Sequence, residues 1–160
     1  IGKKKIMNAA SESFISSAYW TENIGYAAAI ATIKYMEKNK VSSKLRLKGK
    51  KIKKIWSELG KENTLPVLVR GIDSLPTFSF DDKKSDEMMT YFTQEMLKEG
   101  FLAHGQCYLM ISHTDAHIRK YKNACSKVFK KISNIFHKKK FNFKRYINGR
   151  VKFAKFKNPV

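Results

Sequence analysis

The chain is 160 residues long, 42% hydrophobic and 12% aromatic, and carries a formal net charge of +20. That apolar content excludes a disordered polymer and implies one folded core with appendages, despite the charge. Two cysteines are too few for a disulfide framework, no stretch approaches ~20 uninterrupted apolar residues, and "IGKKKIMNAASESF" lacks the apolar run of a signal peptide; the expectation is a cytoplasmic protein that does not enter a membrane.

In chain order, residues 24–36 are hydrophilic only at Thr32 and Lys34, which predicts a helix packed on most of its circumference, with Thr21 or Asn23 as its cap. The polar hinge "EKNKVSSK" follows. A second helix is expected over 45–59, because Ile52, Ile55, Trp56 and Leu59 share one stripe and Gly60 is a natural stop. "LPVLVRGI" and "SLPTFSFD" read as two strands joined by a turn at 71–74, close enough to pair antiparallel. A third helix begins near Ser85 with Asp86 and Glu87 at its positive end, turns Met88, Met89, Phe92, Met96 and Leu97 inward, and stops at Gly100. "QCYLMIS" reads as a third strand. The last helix starts at Thr114 and repeats Ile118, Tyr121, Cys125, Val128, Ile132 and Ile135 at helical spacing. Strands clustered with helices packed on one face make this an α+β fold.

Three constellations carry chemistry. His104, Cys107, His113 and His117 have zinc-ligand residue types, but Cys107 lies in an expected strand with Leu109, Met110 and Ile111 between it and His113, so tetrahedral closure is not expected and no metal is assigned. Cys107 with His113 and Asp115 has the residue types of a thiol nucleophile site without an evident base beside the sulfur, and reads as a packed cysteine. After Asp115 there is no acidic residue, and Lys138 to Lys140, Lys144, Arg145, Arg150, Lys152, Lys155 and Lys157 are interleaved with Phe141, Phe143, Tyr146, Phe153 and Phe156. Cations for phosphates and rings for bases make a non-catalytic module binding RNA or anionic surfaces the alternative reading; the bland one is a basic extension whose rings pack back on the domain.

Small hydroxyl residues before a helix can hold a phosphate through O–H groups, backbone N–H groups and the helix dipole. The stretch "FISSAYWTENIGYAAAIATIKYM" is of this kind. With "IGKKKIM" before it and "LPTFSF", "EMLKEGFLA" and "ISHTDAHIRKYKNA" after it, the chain resembles the C-terminal part of class-III, fold-type I pyridoxal-phosphate (PLP) enzymes, the group of glutamate-1-semialdehyde aminomutase and related aminotransferases. The likeness covers residues 1 to about 136, with a loose echo in "INGRVKFAKFKN".

This resemblance implies the end of a large domain and an inter-domain helix over 1–38, and a small C-terminal domain over 39–136 with a three-stranded antiparallel sheet. A basic aromatic tail fills 137–160. "IGKKKIM" corresponds to a strand that follows the Schiff-base lysine, so that lysine would lie upstream of Ile1 and this chain alone would be inactive. The resemblance also implies a homodimer in which Ser16, Ser17 and the backbone at Ala18 contact the cofactor phosphate of the neighbouring subunit, while Tyr19, Trp20 and Glu22 line the substrate entrance. Ala18 stands where the family has a phosphate-contacting Thr. The activity implied is movement of an amino group on a small amino or oxo compound, as aminotransferase or aminomutase. The chain opens on Ile1 rather than Met, as expected of a processed product or the tail of a longer protein.

Overall fold

The computed structural model describes residues 2–13, 22–139 and 142–152. Contacts divide the chain into two compact units, 1–40 and 41–160.

In the first unit, helix α1 runs over Lys4–Ser11 and helix α2 over Asn23–Lys38. The strand expected in "IGKKKIM" is instead the start of α1. An extended segment must find its hydrogen bonds on a neighbour, whereas a helix satisfies its own backbone, and KKIMNAAS has no β-branched run to oppose it. α2 begins after Glu22, whose side chain makes no capping bond, so the cap expected from Asn23 is not formed. Neither helix buries a residue. The packed circumference expected of α2 is therefore not found: Ile24, Tyr26, Ile30 and Ile33 are all more than half exposed.

The second unit contains α3 (Val41–Glu62), β1 (Val67–Ile72), β2 (Leu75–Phe80), α4 (Ser85–Lys98), α5 (Asp115–Phe136) and a short 3-10 helix, Phe143–Tyr146. Amphipathic patterning explains its assembly. Ile52, Ile55, Trp56 and Leu59 of α3 are buried as their spacing requires, as are Met88, Met89, Phe92 and Met96 of α4 and Ile118, Cys125, Val128 and Ile132 of α5, whereas Leu97, expected inward, is 60% exposed because it lies one residue past the buried stripe. β1 and β2 form an antiparallel hairpin in the register Val67↔Phe80 to Ile72↔Leu75. On β2, Pro76, Phe78 and Phe80 alternate inward. Phe78 lies at the centre of the core, its ring 4.7 Å from Trp56, 5.1 Å from Phe92 and 5.9 Å from Phe129, in the tilted and edge-on arrangements that aromatic quadrupoles prefer.

The expected third strand is reduced to an isolated bridge, Thr77↔Gln106. Phe78 N–H donates to Gly105 O (2.8 Å) and Cys107 N–H to Pro76 O (3.1 Å), which begins an antiparallel ladder on the second edge of β2. Pro76 has no N–H to return the bond, so the ladder stops there. Beyond it the Lys48 ammonium donates to the carbonyls of Met110 (3.2 Å) and Ile111 (2.6 Å), satisfying groups that a longer strand would have paired. The described sheet thus has two strands.

Two glycines set how closely these parts approach. A Cβ at Gly49 would lie 1.4 Å from the Asp73 carbonyl, where α3 passes under the hairpin turn, and one at Gly105 would lie 2.5 Å from the Phe78 carbonyl.

Candidate functional site

A recess of about 320 Å³ opens between the irregular segment after α4 and the facing sides of α3 and α5. Ile52, Leu109 and Ile118 supply its apolar floor; Gln106, Cys107, His113, His117 and Tyr121 add polar atoms. Its rim is apolar and exposed: Leu102 is 94% accessible, Tyr108 70% and Met110 54%. Residues 107–110 keep the alternation of a strand, with Leu109 inward and Tyr108 and Met110 outward, although the ladder ends before them.

Both recess histidines are locked by local backbone. His117 Nδ1 accepts from Thr114 N–H (3.2 Å) while Thr114 Oγ1 accepts from His117 N–H (3.3 Å), a reciprocal cap at the start of α5. His113 Nδ1 accepts from Met110 N–H at 3.2 Å. In a neutral ring with Nδ1 so engaged, Nε2 carries the proton. Burial lowers the His113 pKa, with Lys48 and His117 adding to it, so that ring is kept neutral.

Burial disfavours the thiolate at both cysteines. Burial raises the Cys107 thiol, and it pushes Cys125 up to about 12 against the opposing bond from Tyr121. Burial also drives the Tyr121 hydroxyl well above its ordinary value; that oxygen accepts from Trp56 Nε1 at 3.0 Å. No carboxylate, lysine or arginine lines the recess among the described residues. It can therefore enclose an apolar or aromatic group and donate hydrogen bonds from imidazole, but it has no group poised to take up a proton from carbon at neutral pH.

The metal reading finds no support in the arrangement: His104 does not line the recess, and among the described residues no group of three His, Cys, Asp or Glu side chains is placed to hold an ion. Of the site residues expected from sequence, Ser16, Ser17, Ala18, Tyr19 and Trp20 lie outside the described residues, as does Thr21. Glu22 is described, exposed, at the entry to α2. The rim residues Leu102, Tyr108 and Met110 were not singled out from sequence; for Tyr108 and Met110 the legible signal was an apolar residue on both faces of one predicted strand, and Leu102 lies before that strand.

The basic tail is less available than its composition suggests. Phe143 is fully buried, its ring 5.6 Å from Tyr91. Gln94 of α4 donates to Tyr146 O (2.9 Å) and accepts from Asn148 N–H (2.6 Å), and Lys152 N–H donates to Thr90 Oγ1 (3.1 Å). The described part of the tail is thus sewn onto α4, and Phe143 is removed from any stacking role. Among the described residues no helix is long and apolar enough to cross a membrane.

No family model matches the chain. Over 123 residues it is 28% identical to 2'-deamino-2'-hydroxyneamine transaminase of Streptomyces kanamyceticus, an alignment covering 73% of this chain and 30% of that one. Over 126 residues it is 29% identical to 3-aminobutyryl-CoA aminotransferase of Cloacimonas acidaminovorans (strain Evry), covering 72% and 29% respectively. The fold matches the PLP internal aldimine form of FumI from Sphingopyxis sp. MTA144 with a TM-score of 0.66 at 20% identity, covering 85% of this chain and 33% of that one. The chain spans about 30% of the length of the curated relatives it matches. The resemblance to PLP-dependent aminotransferases read from the residues is borne out by these relatives.

Proposed function

We propose that these residues are the C-terminal part of a cytoplasmic, homodimeric PLP-dependent aminotransferase or aminomutase of class III, acting on a small amino or oxo compound. Residues 1–38 are assigned to the end of the cofactor domain and the inter-domain helix, 39–136 to the small domain and 137–160 to the basic tail. The observation that carries this reading is the alignment of nearly three quarters of the chain with two aminotransferases.

The features of the chain fit an anionic cofactor held from outside it. α2 starts without a side-chain cap among the described residues, which leaves its first-turn N–H groups and positive dipole end for another acceptor. The Ser16 and Ser17 hydroxyls and the Ala18 N–H, just upstream, would hold a phosphate of the partner subunit's cofactor. Tyr19 and Trp20 would screen the substrate from water, and Glu22 would orient a substrate amine at the entrance. Bound PLP supplies an electron sink for proton removal at the substrate carbon. The base for that step is the lysine expected upstream of Ile1, consistent with a recess that offers none of its own. The exposed apolar side of α2 and the rim at Leu102, Tyr108 and Met110 are the surfaces that upstream sequence or a second subunit would cover.

The test is cofactor binding followed by absorbance, on the 160-residue chain and on a product extended upstream through the expected lysine. Only the extended product should show a bound-cofactor band, and Ser17→Ala should weaken its PLP affinity about tenfold, the loss of one hydrogen bond to a charged group. An extended product without that band, or unaltered affinity in Ser17→Ala, overturns the assignment.

A further inference from the structure

We propose that the exposed face of α3 is a docking surface for the phosphate backbone of nucleic acid. Eight of the 22 residues of α3 are Lys or Arg and two are acidic. Arg46, Lys50 and Lys54 follow one another at four-residue intervals and Lys61 lies seven further on, so the helical period puts all four on one side, and all four are exposed. They span about 22 Å of helix axis, with about 6 Å between successive members of the first three, so each can meet a separate phosphate. Ser57 lies on the same side between Lys54 and Lys61 and presents no bulk.

The anions nearby leave this stripe with a net positive charge. Glu58 pairs with Lys54 at 3.7 Å, with both side chains exposed to water, and Glu62 is at the helix end. Asp73 faces the stripe from the hairpin turn, but its carboxylate is taken by Lys53 at 2.9 Å, while Lys53 also donates to Gly71 O at 2.7 Å. Arg46 and Lys50 thus lie near one carboxylate that a third cation already holds.

The chemistry of the face selects the partner. A helix that binds a membrane surface lays its apolar side into the lipid, but here that side, Ile52, Ile55, Trp56 and Leu59, is closed in the core at 6% exposure or less. Only Leu47 is an exposed large apolar residue on α3. No aromatic ring joins the stripe, so base stacking and sequence reading have no instrument here, and phosphate contact without sequence preference is what remains. This surface is distinct from the basic tail, and the proposal does not depend on the cofactor assignment.

The experiment is fluorescence anisotropy of the 160-residue chain with labelled 20-nucleotide single strands and duplexes between 50 and 200 mM salt. The variant carrying Arg46→Gln, Lys50→Gln, Lys54→Gln and Lys61→Gln should lose at least ~30-fold in affinity at 100 mM salt. Its log–log salt slope should fall by about 3, as expected for four lost phosphate contacts. A control with the same charge change elsewhere, Lys83→Gln, Lys120→Gln, Lys122→Gln and Lys130→Gln, should lose less than ~5-fold. Lys50→Arg, Lys54→Arg and Lys61→Arg together should keep wild-type affinity, which separates charge from misfolding. Equal losses in the two Gln variants, no binding by the wild type at 50 mM salt, or binding to phosphatidylserine vesicles without binding to oligonucleotides would each overturn the proposal.

Discussion

Replacing Glu95 by Gln tests the energetics of the second unit at its most concentrated point. Glu95 is 4% exposed and accepts hydrogen bonds from Lys131 (2.8 Å), Lys98 and the neighbouring Gln94. Burial pushes its pKa up, but the bonds from Lys131, Lys98 and Gln94 outweigh it and hold the carboxyl at about 2, against an ordinary 4.5. A difference of about 2.5, at 1.36 kcal/mol each, corresponds to about 3 kcal/mol of native stabilisation. Since the folded value is depressed, this contribution is fully present above pH 4.5 and is lost as pH falls toward 2. The two lysine ends are half exposed and can return to water, so Glu95→Gln should cost about 2 to 3 kcal/mol at pH 7. Urea unfolding should show this as a midpoint lowered by about 1 to 2 M. The gap between the two proteins should narrow steadily from pH 5 downward. Equal midpoints at pH 7, or a gap unchanged between pH 5 and pH 3, would refute the reasoning.

Gly49→Ala should destabilise by more than about 3 kcal/mol in the same assay, because the new methyl meets the backbone carbonyl of Asp73 rather than a side chain that could move. Phe143→Ala should cost about 3 to 5 kcal/mol and make trypsin cleavage at Lys144, Arg145 and Arg150 faster than in the wild type, since the ring that fastens this segment to Tyr91 is gone. Thiol labelling at pH 8 should be slow at both Cys107 and Cys125 in the native chain and rapid at both in denaturant, because burial raises each thiol above its ordinary value.

The helices of the second unit were legible because their spacing is a local property. The Ile52, Ile55, Trp56 and Leu59 stripe and the Met88 to Met96 stripe needed only a 3.6-residue period to be found, and the hairpin needed two short apolar runs with a turn between them. What was not legible depended on partners distant in sequence. Residues 106–112 have strand composition, yet their pairing is decided by a missing N–H about thirty residues earlier, at Pro76, and by a lysine from α3. Phe143 reads as one more ring among cations; its burial follows from Tyr91 on α4, about a third of the chain away. α1 was expected as a strand because a resemblance supplied neighbours, and with none beside it among the described residues the local helix preference prevails. The hydroxyl stretch was singled out for chemistry that only a bound phosphate would reveal.

Pro76 has a consequence beyond the length of a ladder. A sheet edge with a full row of donors and acceptors is a template on which a foreign strand can assemble, and a chain that leaves such an edge open risks aggregating through it. On β2 that edge faces residues 105–107, which are fastened to it by two bonds only. If thermal motion lifts them away, the edge they uncover lacks a donor at Pro76, so an invading strand cannot pair along its whole length. The same proline that keeps the third strand short protects the hairpin during every such opening.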